Sequence, residues 1–355
     1  MLTSESKIAH FPAYTSNPYN SCIKQALAEV EVPLDLVEDQ WHTNPWRSLS
    51  WARRYDLVHW HWISVHYQGR TRARFILRSL LFFGSLTLIR LSGTRMVMTV
   101  HNLVPHDTDF RRLHRLVNRL CGRLMDRLIV HNQASLEPVE ESFRPRKSIE
   151  VIEHIDYEDV SDRQLTPDNP KPIYDVAFFG HVRPYKRLEL LIEAIKMSPE
   201  EWSLLVLGQA ASQSYGEDIA SQVSSCERIR FINRFLSDDE LKHHLQTTKV
   251  VVFPYAESLC SGAAHMALGR GLVPVAPRTT AFVEMIELGL AIEIASPVSG
   301  VTIREAIYQA LSVDMEGWRK KQSEYLARCA LPTVGAKLKK LYASVLSDGH
   351  HQSNI

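Results

Sequence analysis

The second half of the chain contains the stretch FFGHVRPYKRLE, which runs from Phe178 to Glu189. The two phenylalanines end an apolar run, Gly180 follows them, and Arg183 and Lys186 precede a helical pattern. Glycine lets the backbone approach a phosphate closely, and the N–H groups at a helix start, together with Arg and Lys, donate charge-assisted hydrogen bonds to it. The stretch therefore predicts a strand, a turn and a helix start that bind an anion. An ordinary strand-to-helix turn with solvated charges is the alternative.

Short apolar runs alternate with longer helical patterns along the whole chain. In the first half, the predicted strands are Lys7–Phe11, Leu34–Val37, Asp56–Trp60, Met96–Val100, Arg127–Val130 and Ile152–Asp156. In the second half, they are Asp175–Phe179, Ser203–Leu207, Ile229–Phe231, Val250–Phe253 and Val273–Ala276. This alternation is typical of parallel sheets covered by helices on both faces. We therefore predict an α/β fold with two Rossmann-like lobes.

The predicted boundary between the lobes lies near residue 165. The segment Tyr157–Lys171 is rich in Asp and Pro and poor in apolar residues, as linkers are. Residues 1–165 are then an N-terminal lobe and residues 166–334 a C-terminal lobe. Residues 335–355 are expected to form a final helix and a polar tail.

Composition limits the classes of function. The net charge of +1 gives no global field that attracts nucleic acid, and no nucleic-acid-binding module is recognisable, so nucleic acid is not an expected partner. The five cysteines are far apart and contain no CxxC pair, which argues against a disulfide framework and a structural zinc site. The N-terminus lacks the basic and then apolar pattern of a signal peptide. We expect a cytoplasmic protein.

Two basic, apolar segments of the first half are candidates for spanning or binding a membrane. The run Phe75–Ile89 is shorter than the roughly 20 residues that cross a bilayer, and it contains Arg78. The segment Phe110–Arg127 combines arginines spaced mostly three or four apart with leucines on the intervening face. Such a helix is predicted to lie on anionic lipid at the inner face of the plasma membrane. A core helix with a solvated basic face is the alternative.

Several segments together carry a family resemblance. They are the turn at Gly180, the block VVVFPYAESLCSGAA at residues 250–264, and the segment HNLVPHD at residues 101–107. Their order and spacing resemble those of glycosyltransferases of the GT-B fold, and within that group bacterial exopolysaccharide enzymes of the xanthan mannosyltransferase type. The resemblance covers most of residues 7–346. It implies two lobes whose parallel sheets face an interlobe cleft, with the acceptor bound by the first lobe and a nucleotide-sugar donor by the second.

The resemblance also assigns the donor site. Its members hold the donor diphosphate with a lysine six residues after the glycine, a spacing that Gly180 and Lys186 keep, whereas His181 replaces the usual arginine and Arg183 is the substitute. Cations fixed beside the diphosphate stabilise the charge that develops on the leaving group, so no metal and no cofactor are expected. The other implied donor-binding residues are Glu257, Ser261, Gly262 and Ala263.

Attack by the acceptor requires removal of a hydroxyl proton by a carboxylate or an imidazole in an inverting mechanism. His106 and Asp107 are the candidates for this base, and His101 is expected to orient a substrate at the end of its strand. The structural alternatives are that His101 is a turn residue whose hydrogen bonds are satisfied within the protein, and that His106 or Asp107 caps a helix. The candidate acceptor-binding residues are Asn17, Tyr19, His61 and Asn102.

Two departures from the family pattern leave other functions open. The first strand is followed by residues 12–19 without the usual glycine pair, and the pair of glutamates found in many retaining members is not intact at Glu257. The predicted function is transfer of a hexose, with GDP-mannose as one possible donor, to a lipid-linked saccharide in surface polysaccharide biosynthesis. A nucleotide-sugar epimerase of the same fold and a non-catalytic transferase-like partner are the alternatives.

Overall fold

A computed structural model describes residues 5–14, 17–38, 44–105, 108–157 and 173–348. The chain divides into two compact units. The first lobe comprises Met1–Ile155 and Arg328–Ile355, and the second lobe comprises Asp156–Ala327. The predicted boundary near residue 165 falls outside the described residues.

The first lobe contains a parallel sheet between helices. Its strands are β1 (Ile8–Phe11), β2 (Leu34–Leu36), β3 (Leu57–Trp60), β4 (Arg95–Thr99), β5 (Arg127–Val130) and β6 (Ile149–Val151). Its helices before the linker are α1 (Pro18–Glu29), α2 (Pro45–Ala52), α3 (Ser64–Tyr67), α4 (Arg72–Leu91), α5 (Arg111–Leu124) and α6 (Leu136–Phe143). The strand order is β2-β1-β3-β4-β5-β6, so the direction of winding reverses between β1 and β3.

The second lobe repeats this plan. Its strands are β7 (Tyr174–Phe179), β8 (Leu204–Leu207), β9 (Ile229–Ile232), β10 (Thr248–Val252), β11 (Val273–Pro277) and β12 (Ile292–Ile294). Its helices are α7 (Leu188–Lys196), α8 (Gln213–Ser224), α9 (Asp238–Gln246), α10 (Gly262–Gly269), α11 (Val283–Glu287) and α12 (Gly300–Leu311). The order β12-β11-β10-β7-β8-β9 places the reversal between β7 and β10. The predicted α/β class with two Rossmann-like sheets is confirmed.

Two helices end the chain. Helix α13 (Met315–Cys329) begins in the second lobe, and α14 (Leu331–Ser347) returns to the first lobe. Pro332 lies in the first turn of α14, where its missing N–H is not needed, so the helix starts earlier than residue 335. A Cβ on Gly335 would lie 2.1 Å from the carbonyl oxygen of Ala26. Glycine therefore allows α14 to pack directly against α1 of the first lobe.

Two of the four edge strands, β6 and β12, differ most from the sequence expectations. Strand β6 ends at Val151, whereas the sequence places a strand at Ile152–Asp156, and β12 has no predicted counterpart. Each has three residues and pairs with one neighbour only. A run of three residues gives little alternation by which to identify a strand, so the bounds of such an edge depend on the strand beside it.

Helix α4 is packed on one side and exposed on the other. Its buried side chains include Phe75, Phe82 and Leu86, while Leu77 and Leu80 are 58% and 65% exposed. Within the described ranges, no helix has both the length and the apolar character that crossing a bilayer requires.

Candidate functional site

The predicted anion-binding turn lies where the second sheet reverses its winding. Gly180 directly follows β7, and the segment Phe253–Tyr255 follows β10, the strand paired with β7. The backbone N–H of Ala256 donates to the carbonyl of Tyr185 at 3.0 Å, which joins the two segments. In open α/β sheets, ligands bind at the carboxyl ends of the strands on either side of such a reversal.

Two glycines shape this edge of the sheet. Gly180 has φ +101° and Gly208 has φ +141°, a region that side chains with a Cβ rarely adopt. A Cβ on Gly208 would lie 2.1 Å from the carbonyl oxygen of Gly180. The N–H of Val182 donates to Gln209 at 2.9 Å, so the turn after β7 is held against the turn after β8. The backbone of the turn is therefore fixed by its neighbour.

Lys186 lies in a short 3-10 helix, Pro184–Lys186, and its side chain is buried. Its ammonium group lies over the ring of Tyr255, 4.9 Å from the centroid, and 5.6 Å from that of Phe178. Burial, and then the charge of Arg183, lowers the pKa of Lys186 to about 7. Burial together with Lys186 and Arg183 also lowers the pKa of His181. Positive charge is therefore concentrated here, and none of the described carboxylates forms an ion pair with Lys186.

The other predicted donor residues lie after β10. Ser261 caps α10, and its hydroxyl accepts from the N–H of Ala264 at 3.3 Å. Gly262 and Ala263 are the first residues of that helix and are partly exposed. Glu257 is exposed in the loop before them. The residue that the sequence analysis missed is Tyr255, whose ring faces Lys186.

In the first lobe, the structure brings two of the predicted residues together. His101 follows β4, and its Nε2 lies 3.1 Å from Nδ1 of His61. The ring of His101 also stacks on Trp62 with centroids 4.4 Å apart. His61 is completely buried, whereas His101 is partly exposed. Burial and the neighbouring His131 and His10 lower the pKa of His101, so its imidazole is neutral near pH 7.

Three further predicted residues have defined places. Tyr19 is buried, with its ring centroid 5.0 Å from that of His101. Asn17 caps α1 and accepts from the N–H of Tyr19 at 3.0 Å, and Asn102 is exposed beside His101. The candidate bases His106 and Asp107 lie outside the described residues.

The histidines of the first lobe form a larger cluster than the sequence analysis identified. His10, His59 and His131 join His61 and His101 around the carboxyl ends of β1, β3, β4 and β5. In the sequence, several predicted strands have a histidine near their last residue or just after it. This repeated position is the signal that could have identified the cluster. Only pairing of the strands shows that these positions meet.

A basic and apolar surface lies on α4 and α5. A pocket of about 510 Å³ is lined by Arg70, Arg74, Arg78, Thr108, Asp109 and His114, among others. Exposed apolar side chains lie near these lining residues in the sequence, namely Ile76, Leu77, Leu80 and Leu116. The buried face of α5 is formed by His114, Val117, Asn118, Cys121 and Gly122, and not by the leucine stripe read from the sequence. The leucines of α5 are consequently exposed or only half-buried.

Chemically, the second-lobe site suits an anionic leaving group. Gly180 has no side chain to occupy the turn, while the buried Lys186 and the half-buried Arg183 supply positive charge. Positive groups fixed before reaction stabilise charge that grows on a departing phosphate, and they cost little reorganisation.

Comparison with known proteins identifies a similar family and a similar enzyme. Residues 174–312 match the family described as Glycosyl transferases group 1. A GDP-mannose:glycolipid 4-beta-D-mannosyltransferase from Xanthomonas campestris pv. campestris is 25% identical over 269 residues, which is 75% of this chain and 71% of that protein.

Solved structures show the same fold. The structure of Anabaena HepE in complex with UDP superposes with a TM-score of 0.71 at 15% identity, over 96% of this chain and 100% of that one. Sucrose-phosphate synthase from Thermosynechococcus elongatus gives a TM-score of 0.71 at 16% identity, over 97% of this chain and 100% of that one. Residues 174–312 therefore resemble the group 1 glycosyl transferases, and the chain is a glycosyltransferase with the GT-B fold.

Proposed function

We propose that the protein transfers a hexose from a nucleoside-diphosphate sugar, with GDP-mannose as the first candidate, to a lipid-linked saccharide in surface polysaccharide biosynthesis. The donor and the acceptor class are those in the name of the Xanthomonas relative. The Anabaena structure contains UDP, so the test below compares guanosine and uridine nucleotides.

One observation carries the proposal: Lys186 is buried next to Arg183 without a carboxylate partner among the described residues, and its pKa falls to about 7. A buried cation without a counter-charge is unfavourable, and a bound diphosphate removes this cost. The same contact strengthens as the bond between sugar and phosphate breaks, because negative charge then accumulates on the leaving diphosphate. Lys186 and Arg183 thus do the work for which other transferases use a divalent ion.

The remaining donor contacts follow from the two segments after β10. The N–H groups at the start of α10, at Gly262 and Ala263, meet a phosphate or a sugar hydroxyl, and Ser261 fixes that end of the helix by capping it. The carboxylate of Glu257 accepts hydrogen bonds from the hydroxyls of the transferred sugar.

On the acceptor side, His101 and Asn102 bind the saccharide, and His106 or Asp107 takes the proton of the attacking hydroxyl. His61 acts through His101: the 3.1 Å contact between the two rings holds the orientation of the partly exposed imidazole of His101. Tyr19 packs edge-on against the same ring, with its own backbone held by the cap of Asn17.

Docking on an anionic membrane brings the protein to its acceptor at the cytoplasmic face. The α4 and α5 surface offers exposed leucines for the lipid interface and arginines for the phosphate groups. The pocket lined by Arg70, Arg74 and Arg78 has the charge to hold a phosphate of the lipid-linked acceptor.

The test is calorimetric titration of the full chain with GDP-mannose, GDP, UDP-glucose and UDP, followed by transfer to lipid-linked saccharides read by mass spectrometry. We expect saturable binding of one donor and formation of a product longer by one hexose. Lys186→Gln is expected to lose donor binding, while the control Lys196→Gln, on the exposed side of α7, retains it. Absence of binding to every nucleotide sugar would contradict the proposal, and conversion of the donor without an acceptor would select an epimerase.

A further inference from the structure

We propose that His10, His59 and His61 of the first lobe bind a divalent transition-metal ion, with zinc as the natural candidate. The three residues each offer one ring nitrogen, and these nitrogens lie within 4.8 Å of one another. The inference concerns the first lobe alone and does not depend on the identity of the donor or the acceptor.

The sheet explains why the three rings meet. His10 on β1 and His59 on β3 are direct neighbours in the register of two paired parallel strands. His61 follows β3 on the same side, and its N–H donates to the carbonyl of Phe11 at 2.8 Å. The ring centroids are 4.5 Å apart for His10 and His59, 4.6 Å for His10 and His61, and 4.3 Å for His59 and His61. The cluster lies where the first sheet reverses its winding, the position at which α/β sheets form ligand sites.

Two of the ring nitrogens are buried without a hydrogen-bond partner in the described part of the chain, namely Nδ1 of His10 and Nε2 of His61. A buried polar atom without a partner is costly, and such atoms in a folded protein call for an explanation. A nitrogen in this state would gain a partner by coordinating an ion.

In both His10 and His61, the other ring nitrogen already has a hydrogen-bonding neighbour. Nε2 of His10 lies 3.1 Å from the hydroxyl of Tyr342, and Nδ1 of His61 lies 3.1 Å from Nε2 of His101. Histidines that bind metals usually donate their other N–H to such a partner, which fixes the tautomer and the orientation of the ring. Both rings therefore present a free nitrogen and a held nitrogen, as metal ligands do.

His59 is held on both sides by hydroxyl groups. Its Nδ1 lies 2.7 Å from the hydroxyl of Tyr342, and its Nε2 lies 2.8 Å from the hydroxyl of Thr99. An ion at His59 would therefore displace one of these two hydroxyl oxygens, while the hydrogen bond to the other keeps the ring in place.

The protonation state of the three imidazole rings also suits the binding of a metal ion. Burial lowers the pKa of His10 to about 3 and holds the pKa values of His59 and His61 well below the ordinary 6.5, so all three are neutral near pH 7. Zinc binds neutral imidazole with Zn–N distances of about 2.0–2.1 Å, which brings ligand nitrogens to about 3.3 Å from one another. Binding therefore requires the rings to move so that their nitrogens, which now lie within 4.8 Å of one another, come closer together. Three neutral ligands leave a fourth position for water or a small anion.

The test begins with the full chain, stripped with a chelator and titrated with Co²⁺, whose visible absorption reports the coordination geometry. Because the site is buried, cobalt is also supplied during expression in minimal medium. We expect one Co²⁺ per chain by elemental analysis, the absorption bands of a four-coordinate ion without a thiolate charge-transfer band, and displacement by Zn²⁺. A folded chain that takes up neither ion by either route would overturn the proposal, as would a thiolate band, because cysteine would then be the ligand.

Variants locate the ion. His10→Gln combined with His61→Gln is expected to abolish stoichiometric binding, while His66→Gln, a buried histidine of the same lobe that stacks on Phe11 and Phe82, is expected to retain it. Tyr342→Phe keeps the shape of the helix packing and removes only the hydroxyl, so it tests the site even where the double variant does not fold. We expect Tyr342→Phe to weaken cobalt binding about 10- to 100-fold. Unchanged affinity in Tyr342→Phe, or unchanged binding in a folded double variant, contradicts the assignment.

Discussion

The ammonium group of Lys186 lies 4.9 Å from the centre of the Tyr255 ring, on which it forms a cation–π contact. Lys186 belongs to the turn after β7 and Tyr255 to the segment after β10, two paired strands. An aromatic face attracts a cation without neutralising it. The contact therefore positions the lysine while its charge stays available to a phosphate.

The first prediction concerns the pH dependence of nucleoside-diphosphate binding. Lys186 has a pKa of about 7 in the free protein, because it is buried and lies near Arg183. A bound diphosphate favours the protonated lysine and raises this pKa, so binding takes up a proton above pH 7. The affinity is expected to fall from about pH 7 to about pH 9, by at most about tenfold per pH unit.

Calorimetry in buffers of different ionisation enthalpy measures both the affinity and the proton uptake. His181 titrates at lower pH, since its pKa is lowered from 6.5, and Tyr255 stays protonated throughout because burial raises its pKa. In Lys186→Gln the slope above pH 7 should disappear. If the variant keeps the slope of the native protein, another group is responsible.

The second prediction concerns Gly208, in the turn after β8 that packs against Gly180. In Gly208→Ala, the new methyl group would meet the carbonyl oxygen of Gly180 at 2.1 Å, at a φ of +141°. We expect the free energy of unfolding to fall by about 1–3 kcal/mol and nucleotide binding to weaken. Urea unfolding and calorimetry measure the two effects.

Gly84→Ala is the matched control. Gly84 lies inside α4, and nothing lies within 4 Å of a Cβ built there. The substitution should leave stability unchanged or raise it by up to about 1 kcal/mol, because alanine favours helix. Equal effects of the two substitutions would argue against a special role for Gly208.

The third prediction concerns the membrane surface. Leu77 and Leu80 are largely exposed on α4, beside the arginines of the pocket. The double variant Leu77→Asp, Leu80→Asp is expected to reduce binding to vesicles of anionic lipid about tenfold or more, because carboxylates replace apolar contacts and are repelled by the lipid. Co-sedimentation measures this binding.

Tyr308→Asp serves as the comparison, since Tyr308 is 61% exposed on α12 of the second lobe. This variant should bind vesicles as the native protein does, and both variants should keep the affinity for nucleotide. Vesicle binding that is insensitive to the change on α4 would mean that another surface meets the membrane.

The fourth prediction concerns the attachment of α14 to the first lobe. Glu153 accepts a hydrogen bond from Lys337 on α14 and forms an ion pair with Arg328 at 3.4 Å. Burial acts to raise the pKa of Glu153, but the hydrogen bond from Lys337 and the two cations outweigh it and lower that pKa. The stabilisation from the ionised carboxylate is thus present at pH values above 4.5, the pKa of Glu153 in the unfolded chain. It is lost as the pH falls through the lower pKa of Glu153 in the folded protein.

In Glu153→Gln, the free energy of unfolding near pH 7 should fall by about 1–3 kcal/mol. The difference from the native protein should shrink as both are acidified below the range in which Glu153 ionises. Denaturant titrations at several pH values measure it, with the exposed Glu141→Gln as control. A constant difference at all pH values would mean that the charge of Glu153 is not what stabilises this contact.

Most of the fold could be predicted from the sequence because strands and helices differ in the period of their apolar residues. Ten of the predicted strands overlap β1 to β5 and β7 to β11. The edge strands β6 and β12 and the buried face of α5 could not be predicted in the same way. On α5, polar His114 and Asn118 are buried because they bond Tyr67, Thr108, Leu103 and Ser142, and such partners are invisible in a local pattern.

The sequence by itself determined the two-lobe plan and the turn from Gly180 to Lys186, since both depend on residues close together in the chain. Only the tertiary structure decided what surrounds them. The pairing of β7 with β10 brings the Tyr255 ring to Lys186, and the pairing of β1 with β3 brings His10 to His59. Burial then sets the charge of these groups, because the energy of an ionised side chain depends on every atom that replaces water around it.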